Sequence, residues 1–254
     1  MSPRVVIVTG AASGIGRAAV ERFVARDVSV VAVDRAADTL AWTEQHESAD
    51  RIHAVAGDVT EEPVNAGAVA AAIDRFGRLD AAVFNAGVSM GGDLLDLPMA
   101  EFDRSLEVNV RAVALGIRAV VPAFREHGAG RIVVTASTSG IAGDPNMWAY
   151  NAAKGAVINL VRAAAVDLGP DGITVNAVCP GPTETAMTER LQPLPAYDEL
   201  RRRIPLQRWG RAEEIAAVIE FLTSPDASFV NGAVVPVDGG ITANTGQFLP
   251  RQQD

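Results

Sequence analysis

The chain alternates between short apolar runs and longer segments that mix apolar and polar residues. The apolar runs are rich in Val and Ile, and most of them are continuous rather than alternating. Continuous runs of this length are typical of strands covered on both faces, as in a parallel sheet. We therefore predict seven strands, at residues 4–8, 28–33, 51–57, 79–84, 130–137, 172–178 and 232–237.

The segments between these runs have the periodicity of helices. Ile215, Ile219 and Leu222 recur at the spacing of one helix face, and a similar stripe runs along residues 150–168. Regular alternation of strands and helices predicts a doubly wound α/β fold with right-handed crossovers. Pro236 lies inside the last predicted strand, which should therefore be at an edge of the sheet or at a bulge.

No internal repeat, low-complexity tract or linker divides the chain, so we predict a single domain over residues 1–254. Residues 184–204 combine scattered apolar residues with prolines that argue against one continuous helix. We expect this segment to be a lid that closes on a substrate and excludes water. Residues 242–254 form a polar tail, which is either loose or packed on a neighbouring subunit.

Composition disfavours several kinds of partner. The formal net charge is −9, whereas proteins that bind nucleic acids or anionic membranes use clustered Lys and Arg. The single cysteine, Cys179, forms no disulfide within the chain and suits a reducing cytoplasm. No signal peptide and no run of about 20 apolar residues is visible, and the three histidines lack partners at metal-binding spacing. We expect a cytoplasmic protein without a metal site.

A glycine-rich loop joins the first predicted strand to the first helix. In VTGAASGIGRAAV, Gly10, Gly14 and Gly16 are spaced GxxxGxG. Gly10 permits a tight turn, Gly14 lets the backbone approach a pyrophosphate, and Gly16 allows close packing of helix on sheet. The helix N-terminus then offers free N–H groups and the positive end of its dipole to the anion. An ordinary turn also uses glycine, but this position favours dinucleotide binding.

An acidic residue ends the second predicted strand and bears on the choice of coenzyme. Asp34 lies close to the position, about 20 residues after the glycine loop, where a carboxylate binds the adenosine ribose. A carboxylate there repels the 2′-phosphate of NADP, so the sequence favours NAD. Arg35 follows directly, and a neighbouring arginine can accommodate that phosphate. NADP therefore stays open as the less favoured coenzyme.

Further motifs follow the glycine loop in order. NAG occupies residues 85–87, Asn109 lies in EVNVRA, Ser137 follows the fifth strand, and YNAAK occupies residues 150–154. NAVCPGPTET and VDGG come later in the chain. Together with TGAASGIG, they resemble the motifs of the short-chain dehydrogenase/reductase family over nearly the whole sequence. One departure is Phe84, where that family's NNAG motif has its first asparagine; we expect it to affect packing more than chemistry.

The resemblance implies an architecture and a reaction. The fold would be one Rossmann-type doubly wound parallel sheet of about seven strands, in the order 3-2-1-4-5-6-7, with helices on both faces. The activity would be the interconversion of a small secondary alcohol and a ketone by hydride transfer with NAD. The family commonly forms tetramers, so a homotetramer is also expected.

Four catalytic residues follow from the same resemblance. Tyr150 would be the acid/base, but the ordinary pKa of a tyrosine, ~10, is too high for efficient proton transfer near neutrality. Lys154 shares its helix face at i+4. Its charge and that of the oxidised nicotinamide should lower the pKa of Tyr150, and its side chain would hold the nicotinamide ribose. Ser137 would bind the substrate oxygen, and Asn109 would order a water that links Lys154 to solvent.

The coenzyme and substrate contacts are implied in the same way. Asp58 would accept a hydrogen bond from the adenine amino group, with a helix N-cap as the alternative role, and Thr183 would contact the carboxamide or the pyrophosphate. The predicted coenzyme contacts are Gly10, Ser13, Gly14, Ile15, Gly16, Asp34, Arg35, Asp58, Val59, Asn85, Ala86, Gly87, Tyr150, Lys154, Pro180, Gly181 and Thr183. The predicted substrate contacts are Ser137, Met147, Trp148 and Met187.

Two other functions remain open at this point. One is an NADPH-dependent reductase of 3-oxoacyl thioesters on acyl carrier protein. The other is a nucleotide-sensing or scaffold protein that keeps the fold without turnover. The joint presence of Ser137, Tyr150, Lys154 and Asn109 argues against the second, because a protein without catalysis has no need of all four.

Overall fold

A computed structural model describes residues 4–252 and places the seven predicted strands in one parallel sheet. The sheet order is β3-β2-β1-β4-β5-β6-β9, as predicted. Its seventh strand is numbered β9 because two short strands, β7 and β8, precede it and pair with each other. The strands are β1 (Val5–Thr9), β2 (Ser29–Asp34), β3 (Ile52–Ala56), β4 (Ala81–Phe84), β5 (Gly130–Thr135), β6 (Ile173–Pro180), β7 (Thr183–Glu184), β8 (Gly210–Arg211) and β9 (Val234–Val237).

Helices cover both faces of the sheet. Within residues 4–252 they are α1 (Gly14–Val24), α2 (Glu62–Phe76), α3 (Met99–Leu106), α4 (Ala112–His127), α5 (Trp148–Leu168), α6 (Pro195–Arg203) and α7 (Ala212–Thr223). One apolar layer joins the sheet to α2, α4 and α5, and the other joins it to α1 and α7. None of the helices in this part of the chain has the length and apolar character needed to cross a bilayer.

Two-sided burial explains why the strands read as continuous apolar runs. In β1, Val5 and Ile7 belong to the layer with α2, α4 and α5, while Val6 and Val8 belong to the layer with α1 and α7. All five residues of β1 are buried. Neither face of such a strand meets water, so neither face needs polar residues.

The parallel arrangement brings the ends of the strands together. Thr9, Asp34, Phe84, Thr135 and Pro180 are the last residues of β1, β2, β4, β5 and β6. Strand order reverses at β1, which pairs with β2 on one side and with β4 on the other. In an open α/β sheet, the crevice outside this point is where ligands bind.

The last strand lies at the edge of the sheet, as Pro236 predicts. β9 follows β6 as the terminal member of the strand order, and Pro236 pairs with Cys179. A proline at an edge removes no hydrogen bond that a further strand would need.

Phe84 is accommodated by a glycine on the helix above it. A Cβ added to Gly116 of α4 would lie only 2.8 Å from Cδ1 of the Phe84 ring. The ring therefore fills the space that a side chain at residue 116 would take. A small void of about 10 Å³, lined in part by Thr9 and Asn65, remains beside the ring. As expected, this departure is one of packing.

As the prolines predict, residues 184–204, the proposed lid, do not form one continuous helix. A short 3-10 turn at Glu189–Leu191 precedes α6, a nine-residue helix that begins at Pro195, and proline is well suited to the first turn of a helix. Of the predicted tail, residues 242–252 are described, with Phe248 82% exposed, whereas residues 253–254 lie outside the described part of the chain.

Candidate active site

The glycine loop has the shape that its spacing predicts. Gly10 and Gly14 have φ values of +68° and +54°, in the region that favours glycine. A Cβ at Gly10 would lie 2.9 Å from the Cα of Ala86, and one at Gly16 would overlap the carbonyl of Gly10. α1 begins at Gly14, and the Ser13 side chain makes no capping bond. The first N–H groups of α1 are therefore not capped by Ser13, and an uncapped helix N-terminus of this kind can receive an anion such as a pyrophosphate.

Four hydrogen bonds, all donated from the loop after β4, fix that loop to the glycine loop. The Oγ1 atom of Thr9 accepts hydrogen bonds from the backbone N–H groups of Asn85 (3.0 Å) and Ala86 (3.1 Å). The Nδ2 atom of Asn85 donates to the carbonyls of Thr9 (3.2 Å) and Gly10 (3.4 Å). Sequence reasoning matched Thr9 to a motif but gave it no role. The sequence signal that could have suggested a role for Thr9 was its position as a polar residue at the end of a strand whose other residues are apolar.

Asp34 is tied to the same loop. Its Oδ2 atom accepts a hydrogen bond from the backbone N–H of Ala12 at 2.9 Å, and its Oδ1 atom accepts one from the N–H of Arg35 at 2.7 Å. The carboxylate therefore lies where β2 ends, beside the glycine loop, and the Arg35 side chain is exposed.

Asp58 orders the loop after β3 but does not cap a helix. Its Oδ1 atom accepts hydrogen bonds from the N–H (2.9 Å) and the hydroxyl (2.7 Å) of Thr60, and its Oδ2 atom lies 3.3 Å from the guanidinium of Arg104. α2 begins at Glu62 with Glu61 in the cap position, so the N-cap alternative is wrong. Burial alone would raise the pKa of Asp58, but Thr60 and Arg104 outweigh it and lower that pKa. The adjacent Val59 is partly buried.

The first turns of α5 bring Tyr150 and Lys154 together. The Lys154 Nζ atom lies 5.6 Å from the centroid of the Tyr150 ring and donates to the carbonyl of Thr135 at 2.9 Å. Lys154 is 4% exposed, and this burial lowers the pKa of its amine to about 8. A buried amine next to a phenol is a typical setting for proton transfer.

The pKa of Tyr150 is shifted in the direction opposite to the one expected. Burial raises it, a hydrogen bond with Ser137 lowers it less strongly, and the Asp144 carboxylate raises it further. The predicted lowering relied on Lys154 and on the nicotinamide charge together. The side chains of the protein alone therefore favour the protonated phenol.

Asn109 positions the loop that carries Gly87. It lies in a π-helical turn, Glu107–Arg111, between α3 and α4. Its Oδ1 atom accepts from the N–H of Val88 at 3.2 Å, and its Nδ2 atom donates to the carbonyls of Val88 and Ser105, both at 3.0 Å. A Cβ at Gly87 would lie 2.8 Å from Asn109 Oδ1 and 3.4 Å from Lys154 Nζ. The amide is thus adjacent to Lys154, while the proposed water relay stays a prediction.

Ser137 lies at the end of a short hydrogen-bonded chain. Its Oγ atom accepts a hydrogen bond from the N–H of Ser139 at 3.1 Å. The hydroxyl of Ser139 in turn donates to Oδ2 of Asp144 at 2.5 Å. Sequence reasoning did not single out Asp144, because its contact with Ser139 depends on a turn of the chain that no sequence motif predicts.

The segment after β6 passes close to the glycine loop. The Thr183 hydroxyl donates to the carbonyl of Gly181 at 2.9 Å, and a Cβ at Gly14 would lie 3.2 Å from Cγ2 of Thr185. Cys179, one residue before Pro180, is fully buried, and burial raises the pKa of its thiol to about 11. This thiol is a packing group rather than a nucleophile.

The predicted substrate contacts lie on three segments of the chain: the turn after β5, the start of α5 and the segment after β7. The Trp148 ring stacks on Phe102 of α3, with centroids 5.2 Å apart, so one of its faces is used in packing. The Met147 sulfur would lie 3.1 Å from a Cβ at Gly91. Met187 belongs to the segment after β7 and is 48% exposed. Their contact with a substrate stays a prediction.

Comparisons with known proteins agree with this geometry. A family model described as enoyl-(acyl carrier protein) reductase matches residues 10–242. The 2-(R)-hydroxypropyl-CoM dehydrogenase of Xanthobacter autotrophicus is 44% identical over 94% of this chain and 99% of its own. The meso-2,3-butanediol dehydrogenase of Serratia marcescens is 40% identical over 96% of both chains.

Solved structures show the same architecture. The crystal structure of levodione reductase has a TM-score of 0.90 at 38% identity and covers 96% of this chain and 99% of its own. A 3-ketoacyl-(acyl-carrier-protein) reductase from Brucella melitensis, complexed with NADH, has a TM-score of 0.87 at 34% identity, covering 95% and 99%. The structure titled ElxO with NADP bound has a TM-score of 0.90 at 28% identity, covering 96% and 100%.

We predict that Thr9→Val lowers the free energy of unfolding by about 1–3 kcal/mol, because two N–H groups lose their acceptor without a change of shape. Thr174→Val is the matched control: the Thr174 Oγ1 atom is buried and has no hydrogen-bond partner among the described residues. The control should be neutral or stabilising. Chemical denaturation compares the two variants, and equal losses would contradict the role assigned to Thr9.

Proposed function

The chain belongs to the short-chain dehydrogenase/reductase family, and on that basis we propose that Tyr150 is the acid/base of an NAD-dependent alcohol dehydrogenase and ketone reductase. The relatives establish an oxidoreductase that acts on secondary alcohols and ketones. One observation carries the assignment of Tyr150: its phenol and the buried amine of Lys154 lie one helical turn apart beside Ser137. These three residues lie at the carboxyl-terminal end of the strands, where the glycine loop also lies.

The residues present fit a dinucleotide. Gly10, Gly14 and Gly16 would receive the pyrophosphate, Asp34 would bind the adenosine ribose, and Lys154 would hold the nicotinamide ribose. The tight approaches at the glycines, the bond of Asp34 to the glycine loop and the buried position of Lys154 support these roles. The remaining predicted contacts, including Pro180, Gly181 and Thr183, are proposed to border the nicotinamide. When bound, NAD accepts a hydride from the substrate carbon, and NADH returns one.

The protein supplies orientation and one proton. Ser137 accepts a hydrogen bond from the Ser139 N–H, which leaves its own hydroxyl hydrogen free for the substrate oxygen. In ketone reduction, Tyr150 gives its proton to that oxygen, and in alcohol oxidation the phenolate removes the proton. Lys154 favours the phenolate through its charge when a substrate is to be oxidised.

The choice of NAD over NADP rests on Asp34. Its carboxylate is held by the N–H groups of Ala12 and Arg35, so its negative charge is fixed beside the glycine loop, and we propose that it repels the 2′-phosphate of NADP there. Similar structures hold NADH in one case and NADP in another. The local charge of this chain is therefore the stronger guide, and it favours NAD.

The alternatives are less well supported. The relatives at 44% and 40% identity are named for small alcohols, whereas the similar 3-ketoacyl reductase structure is 34% identical. An acyl-thioester reductase is therefore second. A scaffold protein would not require a buried Lys154 beside Tyr150, because burying an amine is costly unless it serves a purpose.

We also propose a single working domain whose residues 184–204 cover the substrate, and a homotetramer. The outer face of α5 supports the tetramer: Ala152, Ala156, Ala163 and Val166 are exposed there, and small residues allow a second helix to pack closely. Sedimentation at micromolar concentration should show four subunits, and a monomer would contradict this. The lone buried cysteine supports a cytoplasmic location, which cell fractionation would test.

We predict that wild-type enzyme oxidises members of a panel of 2-propanol, 2-butanol, 2,3-butanediol and cyclopentanol with NAD, and that Tyr150→Phe lowers kcat at least ~100-fold, the usual contribution of a general acid/base. NADH absorbance reports both rates. Tyr197→Phe is the control, because it removes the other phenol of the chain, which donates to Glu184 at 2.8 Å. Unchanged turnover in Tyr150→Phe would overturn the mechanism.

We predict a higher kcat/KM with NADH than with NADPH, and an improvement of about tenfold in the relative use of NADPH in Asp34→Asn, equivalent to about 1.4 kcal/mol. Asparagine keeps an acceptor for the Ala12 N–H and removes the charge. Asp38→Asn is the control, since Asp38 is an exposed carboxylate four residues away. An equal change in both variants would refute the role of Asp34.

A further inference from the structure

A carboxylate beside the site has no part in the proposed reaction. Asp144 lies in the loop between the 3-10 turn Thr138–Gly140 and α5, and it is exposed. Its Oδ2 atom accepts a hydrogen bond from the Ser139 hydroxyl at 2.5 Å, and its backbone carbonyl accepts one from Nδ2 of Asn151 at 2.9 Å. The residue is therefore held on both sides, by the turn before it and by the helix after it.

The contact with Ser139 extends to the proposed substrate contact. Ser139 is 8% exposed and donates its N–H to Ser137 Oγ at 3.1 Å. That bond occupies a lone pair of Ser137 and directs its hydroxyl hydrogen elsewhere, toward the phenol or a substrate oxygen. Asp144 thus fixes the side chain of the residue whose backbone orients Ser137.

Asp144 also acts on Tyr150 through space. The Lys154 amine lies 5.6 Å from the centroid of the Tyr150 ring, and the Cys179 thiol of β6 and the Asp144 carboxylate are the groups whose charges would raise the pKa of Tyr150. Asp144 is joined to this site by its hydrogen bond with Ser139, which in turn donates to Ser137. Burial keeps the Cys179 thiol protonated and neutral at physiological pH. Lys154 is then the cation of this group and Asp144 is the anion. An anion disfavours a second negative charge nearby.

We propose that Asp144 is a positioning residue of the active site, whose carboxylate holds Ser139 and, through it, orders Ser137 beside Tyr150. The inference rests on the proposed function, since it assumes that Tyr150 carries the proton. The protonated phenol is the form that donates in ketone reduction. Asp144 therefore extends reduction to higher pH and moves alcohol oxidation to higher pH.

The test is the pH dependence of kcat/KM for oxidation, with NAD, of the alcohol in the panel above that the wild-type enzyme oxidises fastest. This parameter reports the ionisations of the free enzyme. With increasing pH, kcat/KM for oxidation rises as the phenol of Tyr150 loses its proton, and this rise is the rising limb of the pH profile. Asp144→Asn keeps an acceptor for Ser139 and removes the charge, so the rising limb should move to lower pH. Asp144→Glu restores a carboxylate and should return the limb toward its wild-type position.

Two controls separate this effect from general changes. Asp74→Asn removes one exposed carboxylate from the last turn of α2, at the sheet edge opposite the strand ends, and should leave the limb in place. Ser139→Ala loosens Asp144 without removing its charge and should give a smaller shift than Asp144→Asn. Because Asp144 is exposed, added salt should move the wild-type limb toward that of Asp144→Asn.

The outcomes distinguish the inference from the proposed function. If the limbs of wild-type enzyme and Asp144→Asn coincide, or if Asp74→Asn shifts the limb equally, Asp144 has no such role. Either result leaves the proposed function intact as long as Tyr150→Phe is inactive. Turnover that survives in Tyr150→Phe overturns the proposed function itself.

Discussion

Burial of the sheet on both faces is the constraint on which the rest of the molecule depends. Strands such as β1 have no face exposed to water, so the polar groups that can meet a ligand lie where the strands end, whereas polar residues inside a strand, such as Thr174 and Asn176 of β6, are buried. Thr9, Asp34 and Thr135 occupy strand ends. Each then makes a contact that builds the site: to the loop after β4, to the glycine loop and to Lys154.

The loops at this edge are held by one another as much as by the strands. Asn85 donates two hydrogen bonds to Thr9, from its backbone N–H and from its side-chain amide, and Asn109 binds the N–H of Val88 on the other side of Gly87. Gly87 lies between Asn109 and Lys154 with no space for a side chain. The amine of Lys154 is therefore held by the carbonyl of Thr135 at the end of β5 and lies against the loop that Asn109 fixes, which is a form of preorganisation.

The apolar runs were sufficient to predict the strands, and Pro236 limited β9 to an edge or a bulge, because burial and edges are visible in the residue pattern. The order of the strands followed from the family resemblance and not from the pattern. The sequence was not sufficient for the pKa of Tyr150, since burial and the charge of Asp144 act through space. The hydrogen bonds that Thr9 accepts from Asn85 and Ala86 were hidden for a similar reason: they join residues more than 70 positions apart. The cofactor contacts and the catalytic roles remain predictions that the geometry is compatible with.

The packing of Phe84 against Gly116 also bears on how this chain can change by mutation. A larger residue at 116 collides with the ring, and a smaller residue at 84 leaves a cavity opposite the glycine. Either first step toward another pairing is therefore destabilising, and only the second step restores the packing. The two positions form an epistatic pair, so the residue that any descendant of this sequence tolerates at one of them depends on the residue at the other.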